Sequence, residues 1–211
     1  MAWHYYCWLL QTNLNPFDKD GKLPIFEKIF CDDWQVSDSF ETVQKDIIKL
    51  GRSASFLTEF GVCAFNAKNT SNPTQLNTNE CEIILDHCDQ YFTSWTYWDS
   101  NFYDDNFEIN KQLVDIYSRV YPRVTNGIPL SLSYNVTTGS FFYTFKMNLD
   151  RIDLFTEIFI PDHVYPKGFK VITNPELIWS FNKNNKILYI NLNNKFSKIK
   201  VDKFFVVLSR N

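Results

Sequence analysis

The hydrophobic periodicity of this chain changes once, near Asn126, and that change restricts the folds that the chain can adopt. Before it, three short aromatic strands alternate with amphipathic helical patterns, which is typical of parallel strands joined by crossover helices. After it, apolar and polar residues alternate in short runs separated by turn residues, which indicates an all-β sandwich. These runs predict strands at residues 128–134, 141–147, 154–160, 177–181, 187–192 and 204–208. The sequence therefore predicts an α/β domain at residues 1–125 and an all-β domain at residues 126–211.

Three helical patterns belong to the first predicted domain, at residues 38–50, 79–92 and 107–120. At the start of the first pattern, Asp38 and Glu41 fit a capping box. Apolar residues recur at helical spacing and predict the buried stripes of the first two helices: Phe40, Val43, Ile47 and Leu50, then Cys81, Ile84, Leu85 and Cys88.

Residues 55–61 (Ser-Phe-Leu-Thr-Glu-Phe-Gly) read as a short buried strand with one carboxylate, Glu59, near its end. Strict alternation places Leu57 and Glu59 on one face of that strand and Phe56 and Phe60 on the other. A carboxylate in an apolar setting is costly unless it has a partner or a chemical role. On this segment alone, a solvated or arginine-paired glutamate is the simpler interpretation.

Two further aromatic strands flank this one in the sequence. Residues 3–7 (Trp-His-Tyr-Tyr-Cys) place His4 and Tyr6 on one face, and residues 94–98 (Ser-Trp-Thr-Tyr-Trp) contain Trp95 and Trp98. Because 18% of the chain is aromatic, composition alone favours ordinary core packing for Tyr6 and both tryptophans.

In this order, the three strand segments resemble the last three barrel strands of the endoglycoceramidases, which belong to glycoside hydrolase family 5. Residues 121–123, 156–161 and 165–168 resemble the C-terminal β-domain of the same group. The resemblance implies the C-terminal part of a (β/α)8 TIM barrel followed by a small β-sandwich. It also implies a retaining glycosidase that needs no cofactor or metal and cleaves the bond between an oligosaccharide and ceramide.

The resemblance also implies roles for individual residues. Glu59 corresponds to the catalytic nucleophile, and His4 and Tyr6 correspond to a His-x-Tyr pair whose tyrosine hydrogen-bonds that nucleophile. Either Trp95 or Trp98 corresponds to the tryptophan that lines the sugar subsite. Such a nucleophile must be ionised, and nearby hydrogen-bond donors favour its charged form.

The family's general acid has no counterpart in this chain. That acid is the glutamate of an Asn-Glu pair on an earlier barrel strand, whereas Asn79-Glu80 follows the nucleophile in the sequence and is rejected. A complete barrel also needs about 250 residues. We therefore expect the chain to be the C-terminal portion of a larger enzyme, inactive without a missing N-terminal half.

Two alternatives remain open at this point. One is another family-5 activity, such as a β-glucosidase acting on glucosylceramide or sterol glucosides. The other is a non-catalytic protein whose sandwich contacts carbohydrate, lipid or protein. The family implies a secreted or lysosomal location, and the chain itself does not indicate a compartment.

Charge, hydropathy and cysteine spacing bear on nucleic acid, membrane and zinc as partners of the chain and on its disulfides. A net charge of −3 argues against nucleic acid, and no apolar run is long enough for a transmembrane segment. The five cysteines are odd in number, and their spacing does not resemble a zinc site. Cys81 and Cys88 lie about 10 Å apart along one predicted helix and cannot bridge each other. Cys63 is within reach of either.

Overall fold

The computed structural model describes residues 1–7, 29–61, 63, 65–66, 76–98, 102–103, 106–193 and 203–211. The chain divides into two compact units, Met1–Ile116 and Tyr117–Asn211. The first unit contains a parallel sheet with helices, and the second consists of antiparallel sheets.

A three-stranded parallel sheet forms the centre of the first unit. In spatial order its strands are β1 (Ala2–Tyr5), β2 (Phe56–Phe60) and β5 (Ser94–Tyr97). Two short strands, β3 (Phe65–Asn66) and β4 (Leu76–Asn77), pair with each other. The helices are α1 (Val36–Lys49), α2 (Asn79–Gln90) and α3 (Lys111–Tyr117). The strand–helix order predicted from the sequence is therefore present.

The helix ends differ from the sequence predictions. A π-helical segment, Ile29–Gln35, runs directly into α1, so the helix needs no side-chain cap and Asp38 lies inside its first turn. The predicted capping box is therefore wrong. Helix α3 begins four residues later than predicted because Phe107 adopts a left-handed backbone with φ 63°. The Asn110 side-chain oxygen accepts a hydrogen bond from the backbone N–H of Leu113 at 3.4 Å, as an N-cap residue does.

The helices cover one face of the parallel sheet. Phe40 of α1 is fully buried and meets the Trp3 indole edge-on, with ring centroids 4.9 Å apart. The predicted stripe of α2 is buried throughout, and that of α1 is buried at Phe40, Val43 and Ile47. Leu50 is an exception at 71% exposed, because α1 ends at Lys49 and the chain turns at Gly51 with φ 86°.

Two disulfides connect sheet strands to the helical segments that follow them. Cys63 bonds to Cys81 at the start of α2, which decides between the two partners left open by the sequence. Cys7 bonds to Cys31 of the π-helical segment, a pairing that the sequence did not predict. Cys88 is buried and takes part in neither bond.

The second unit contains two four-stranded antiparallel sheets. The strands are β6 (Tyr121–Val124), β7 (Gly127–Asn135), β8 (Ser140–Met147), β9 (Thr156–Phe159), β10 (Phe169–Thr173), β11 (Leu177–Asn182), β12 (Ile187–Leu192) and β13 (Lys203–Arg210). One sheet has the order β10-β13-β8-β7 and the other β11-β12-β9-β6. Strands β6 and β10 were not predicted from the sequence.

The unit boundary lies before the boundary expected at residue 126. Strand β6 pairs with β9 and so belongs to the second unit. Strand β6 is only four residues long and contains Pro122, so its sequence shows no clear alternation of apolar and polar residues. An edge strand nevertheless tolerates a proline. The two sheets meet through alternating apolar side chains, for example where Phe169 contacts Phe181 edge-on at 5.1 Å.

Strand β8 supplies much of the core of the second unit. Phe141, Tyr143, Phe145 and Met147 alternate along it and are all buried, as their spacing predicted. Burial raises the pKa of the Tyr143 hydroxyl to about 12. That hydroxyl pairs with the Thr125 hydroxyl at 2.5 Å, which satisfies it inside the core.

We predict that a fragment of residues 117–211 unfolds cooperatively and is more stable than one of residues 126–211. The shorter fragment loses β6 and Arg119, which is buried, donates to the Tyr134 carbonyl at 3.2 Å and lies 5.0 Å from the Tyr134 ring. The expected difference in unfolding free energy is roughly 2–5 kcal/mol. Urea unfolding monitored by circular dichroism measures it. Equal stability of the two fragments would contradict the role given to β6 and Arg119.

We also predict that the first unit loses stability at acid pH through His87. Its ring contacts Phe40 and Tyr91, with ring centroids 5.3 and 6.3 Å away. Burial lowers its pKa below 6.5 despite the opposing charge of Asp86. The unfolded chain therefore binds the proton more readily, so the free energy of unfolding falls as the pH drops below 6.5 towards the folded-state pKa.

Five of the six tryptophans precede residue 117, so fluorescence-monitored unfolding at pH 7.5 and 5.5 mainly follows the first unit. His87→Gln should lose less stability over this interval than the wild type. His163→Gln, in the second unit, is the control and should behave like the wild type. An unchanged pH dependence in His87→Gln would rule out this role.

Candidate active site

Three of the side chains singled out in the sequence meet at the carboxyl ends of β1 and β2. Glu59 is the fourth residue of β2 and pairs across the sheet with His4 of β1. Tyr6 follows β1 directly. Because the strands are parallel, their carboxyl ends lie at one edge of the sheet.

Tyr6 makes the strongest contact with Glu59. Its hydroxyl donates to Glu59 Oε1 at 2.5 Å, within the range of a charge-assisted bond. The His4 Nδ1 atom lies 3.7 Å from Glu59 Oε2, which is too long for a hydrogen bond but close enough for an ion pair if the ring is protonated. The Glu59 side chain is 31% exposed, so the carboxylate remains accessible.

A β-bulge in β2 turns Glu59 to this position. Along the pairing with both neighbouring strands, Leu57 and Phe60 are separated by two residues in β2 but by one residue in the partner strand. Leu57 and Phe60 are therefore both fully buried on the helix-covered face, and the strict alternation predicted for this strand is wrong. Glu59 shares the opposite face with His4, which is 58% exposed. Bulges commonly redirect a side chain in this way.

Thr58 stabilises the bulge with hydrogen bonds to both neighbouring strands. Its hydroxyl donates to the Trp3 carbonyl at 3.0 Å, and its own carbonyl accepts the Thr96 hydroxyl at 2.6 Å. These bonds take the place of ladder bonds that the extra residue disrupts. Sequence reasoning missed Thr58 because a threonine in a strand carries no signal of a bulge.

The two candidate tryptophans lie on different parts of β5. Trp95 pairs with Leu57 and meets Phe60 edge-on at 5.8 Å, so it lies on the helix-covered face. Trp98 follows the strand and is 59% exposed. Its backbone N–H donates to the Phe60 carbonyl at 2.8 Å, one residue beyond Glu59.

The segment after Tyr6 is held by contacts that the sequence did not indicate. Gln35 Nε2 donates to the Tyr6 carbonyl at 2.9 Å. The next residue, Cys7, is tied to Cys31 by the first disulfide. Both contacts restrain the backbone that positions the Tyr6 hydroxyl, and they involve residues about 25 to 30 positions away, beyond the range of local patterns.

The rejected Asn79-Glu80 pair lies at the first turn of α2, where the Glu80 side chain is only 2% exposed. Within the described ranges, no group of three or more histidine, cysteine or acidic side chains is arranged to hold a metal ion. In the same part of the chain, no helix has the length and apolar character of a membrane span.

We predict that Gly61→Ala disrupts the packing of the chain after β2 against the chain after β5. An alanine Cβ would lie 1.7 Å from the Trp98 carbonyl oxygen, a backbone atom that cannot rotate away. The strand end must shift, at a cost of about 3 kcal/mol. Gly51→Ala is the control, because its Cβ would enter open space and meet only the strain of φ +86°. Urea unfolding monitored by tryptophan fluorescence compares them, and an equal loss would refute the close packing of Gly61 on Trp98.

Comparison with known proteins gives one family match, in the C-terminal part of the chain. Residues 119–201 match the glycoside hydrolase family 5 C-terminal domain. No curated protein sequence matches the chain.

Solved structures with a similar fold cover most of the chain. Endo-glycoceramidase II from Rhodococcus sp., in a complex with a cellobiose-like isofagomine, aligns with a TM-score of 0.67 and 17% identity over 92% of this chain and 40% of that one. Sterylglucosidase 1 from Cryptococcus neoformans aligns with a TM-score of 0.68 and 13% identity over 99% of this chain and 38% of that one. The chain thus spans about two fifths of these structures. It shares their fold, and residues 119–201 match the C-terminal domain of glycoside hydrolase family 5.

Proposed function

We propose that this chain contributes the nucleophile side of a retaining family-5 glycosidase that acts on glycolipids. The observation that carries the proposal is the 2.5 Å hydrogen bond from Tyr6 to Glu59, with His4 beside it, at the carboxyl edge of a parallel sheet. Catalytic groups of barrel enzymes lie at that edge. A donor on Glu59 stabilises the carboxylate form that attacks the anomeric carbon.

The roles of the individual residues follow from this geometry. Glu59 is the nucleophile, Tyr6 holds one of its oxygens, and His4 supports the negative charge. Of the two tryptophans, we assign the sugar platform to Trp98. Trp98 is exposed and its backbone N–H bonds the carbonyl of Phe60, the residue after Glu59, whereas Trp95 packs on Phe60.

The reaction also needs a proton donor, and the family resemblance identifies no residue of this chain in that role. A retaining glycosidase protonates the leaving oxygen with a second carboxyl group, which contributes about 10²–10⁴-fold to the rate. We therefore propose that residues 1–125 are the last three strand–helix units of a barrel and that a further polypeptide segment supplies the remaining strands and the acid. The two disulfides fit an oxidising compartment, such as the secretory route.

Within this class, an oligosaccharide–ceramide linkage is the favoured substrate. A β-glucosidase acting on a sterol glucoside or glucosylceramide is the second candidate, because a sterylglucosidase shares the fold to a similar degree. A non-catalytic role remains the alternative from a different class. Hydrolysis of defined glycosylceramides and sterol glucosides by the complete enzyme distinguishes the three.

We predict that the 211-residue chain alone shows no hydrolysis of these substrates. In the chain completed with the missing strands, Glu59→Gln should abolish turnover and leave glycolipid binding largely intact, since the side chain keeps its shape but loses its charge. Tyr6→Phe removes one hydrogen bond to a charged group, worth about 1.5–3 kcal/mol, and should lower kcat roughly 10- to 150-fold.

Glu41→Gln is the control for these variants, because Glu41 is 55% exposed on α1 and should not affect turnover. A 2-fluoro-glycoside that traps the covalent intermediate should label the peptide containing Glu59, as read by mass spectrometry. Wild-type turnover in Glu59→Gln would refute the nucleophile assignment. Hydrolysis by the isolated chain would refute the need for a second segment.

A further inference from the structure

The second unit contains a cavity of about 460 Å³ that the proposed hydrolysis does not use. It opens beside β11 and the turn before β10, and its lining includes Pro161, Asp162, Phe169, Trp179, Phe181 and Lys183. Its volume lies within the range of small-molecule sites, about 300–1,000 Å³. All of the lining residues belong to Tyr117–Asn211.

Trp179 occupies a core position in β11 but is not covered. Leu177, Trp179 and Phe181 alternate on one face of the strand, and Leu177 is buried while Phe181 packs edge-on against Phe169 of the other sheet. Trp179 also pairs with Ile190, which is fully buried. Nevertheless, Trp179 is 48% exposed. Strand β11 lies at the edge of its sheet, where the opposing sheet does not fully cover the Trp179 indole. The indole therefore lines one side of the cavity.

Both hydrogen-bond donors and hydrogen-bond acceptors surround the Trp179 indole in the cavity. One oxygen of Asp162 pairs with Lys186 at 2.6 Å, and the side chain is 71% exposed, so its other oxygen can accept a further hydrogen bond. Lys183 lines the cavity and is exposed. The Asn211 amide nitrogen donates to the Lys167 carbonyl at 3.1 Å, which directs its carbonyl oxygen elsewhere. A ligand in the cavity thus meets one flat apolar surface and separate donors and acceptors.

We propose that this cavity binds a neutral sugar ring, as a second carbohydrate site in the β-sandwich. A pyranose has an apolar C–H face that can stack on the Trp179 indole and hydroxyls that both donate and accept hydrogen bonds. A hydrocarbon chain would cover Asp162 and Lys183 without giving them hydrogen-bond partners, which is unfavourable. This inference does not depend on Glu59 or on hydrolysis.

Saturation-transfer-difference NMR of the 211-residue chain with lactose, and separately with cellobiose, tests the proposal. We expect binding of at least one disaccharide, weakened roughly tenfold or more in Trp179→Ala because the stacking surface is lost. Ile178→Ala is the matched control, since Ile178 is the adjacent residue, is 49% exposed and points to the opposite face of β11. It should bind like the wild type.

A second pair of variants separates this site from the candidate active site. Trp98→Ala removes the sugar platform of the candidate active site, and the signal that remains in this variant should be lost when Trp179→Ala is added. Asp162→Asn should reduce the signal without changing the circular dichroism spectrum of the sandwich. Loss of binding in Trp98→Ala but not in Trp179→Ala would overturn the proposal and favour the Glu59 site. No disaccharide signal from the folded wild type, or displacement of the signal by octanoate at low millimolar concentration, would also overturn it.

Discussion

One extra residue in β2 determines the direction in which the Glu59 side chain points. In a regular strand, Glu59 would point to the same helix-covered face as Leu57, where a charge without a partner would be strongly unfavourable. The bulge at Thr58 instead keeps Leu57 and Phe60 in the core and turns the carboxylate to the accessible face. Thr58 makes this arrangement stable, because its hydroxyl and its carbonyl both find partners on the neighbouring strands.

The residues that follow the bulge keep the site edge in place. Gly61 lets the Trp98 backbone approach more closely than any Cβ would allow. Beyond it, Cys63 is bonded to the start of α2, and after Tyr6 the chain is bonded in the same way to the π-helical segment that precedes α1. The chain after β1 and the chain after β2 are therefore each tied to the helical segment that follows. These cross-links restrict the unfolded chain and fix the backbone on which the Tyr6–Glu59 hydrogen bond depends.

The second unit follows a different principle, in which alternating side chains from two sheets fill a common core. The arrangement is complete along β8, whose inward side chains are buried, and incomplete at the edge strand β11, where Trp179 remains half exposed. An exposed aromatic residue at a core position stands out more than an exposed apolar residue on an outer face, because outer-face apolar residues are common on protein surfaces. This contrast favours that edge of the sandwich as a ligand site.

Local patterns in the sequence predicted the alternation of parallel strands and helices in the first unit, the buried stripe of α2 and the alternation of β8. Family resemblance indicated the residues around Glu59. Those features depend on local periodicity and on segment order. Five features became known only from the folded chain: the direction of Glu59, the face of Trp95, the partner of Cys63, the pairing of Cys7 and the membership of β6 in the second unit. Each of these depends on which strand or helix lies alongside, because a bulge, a disulfide or an edge pairing is defined by two segments distant in sequence, and a period read along one segment carries no information about the other.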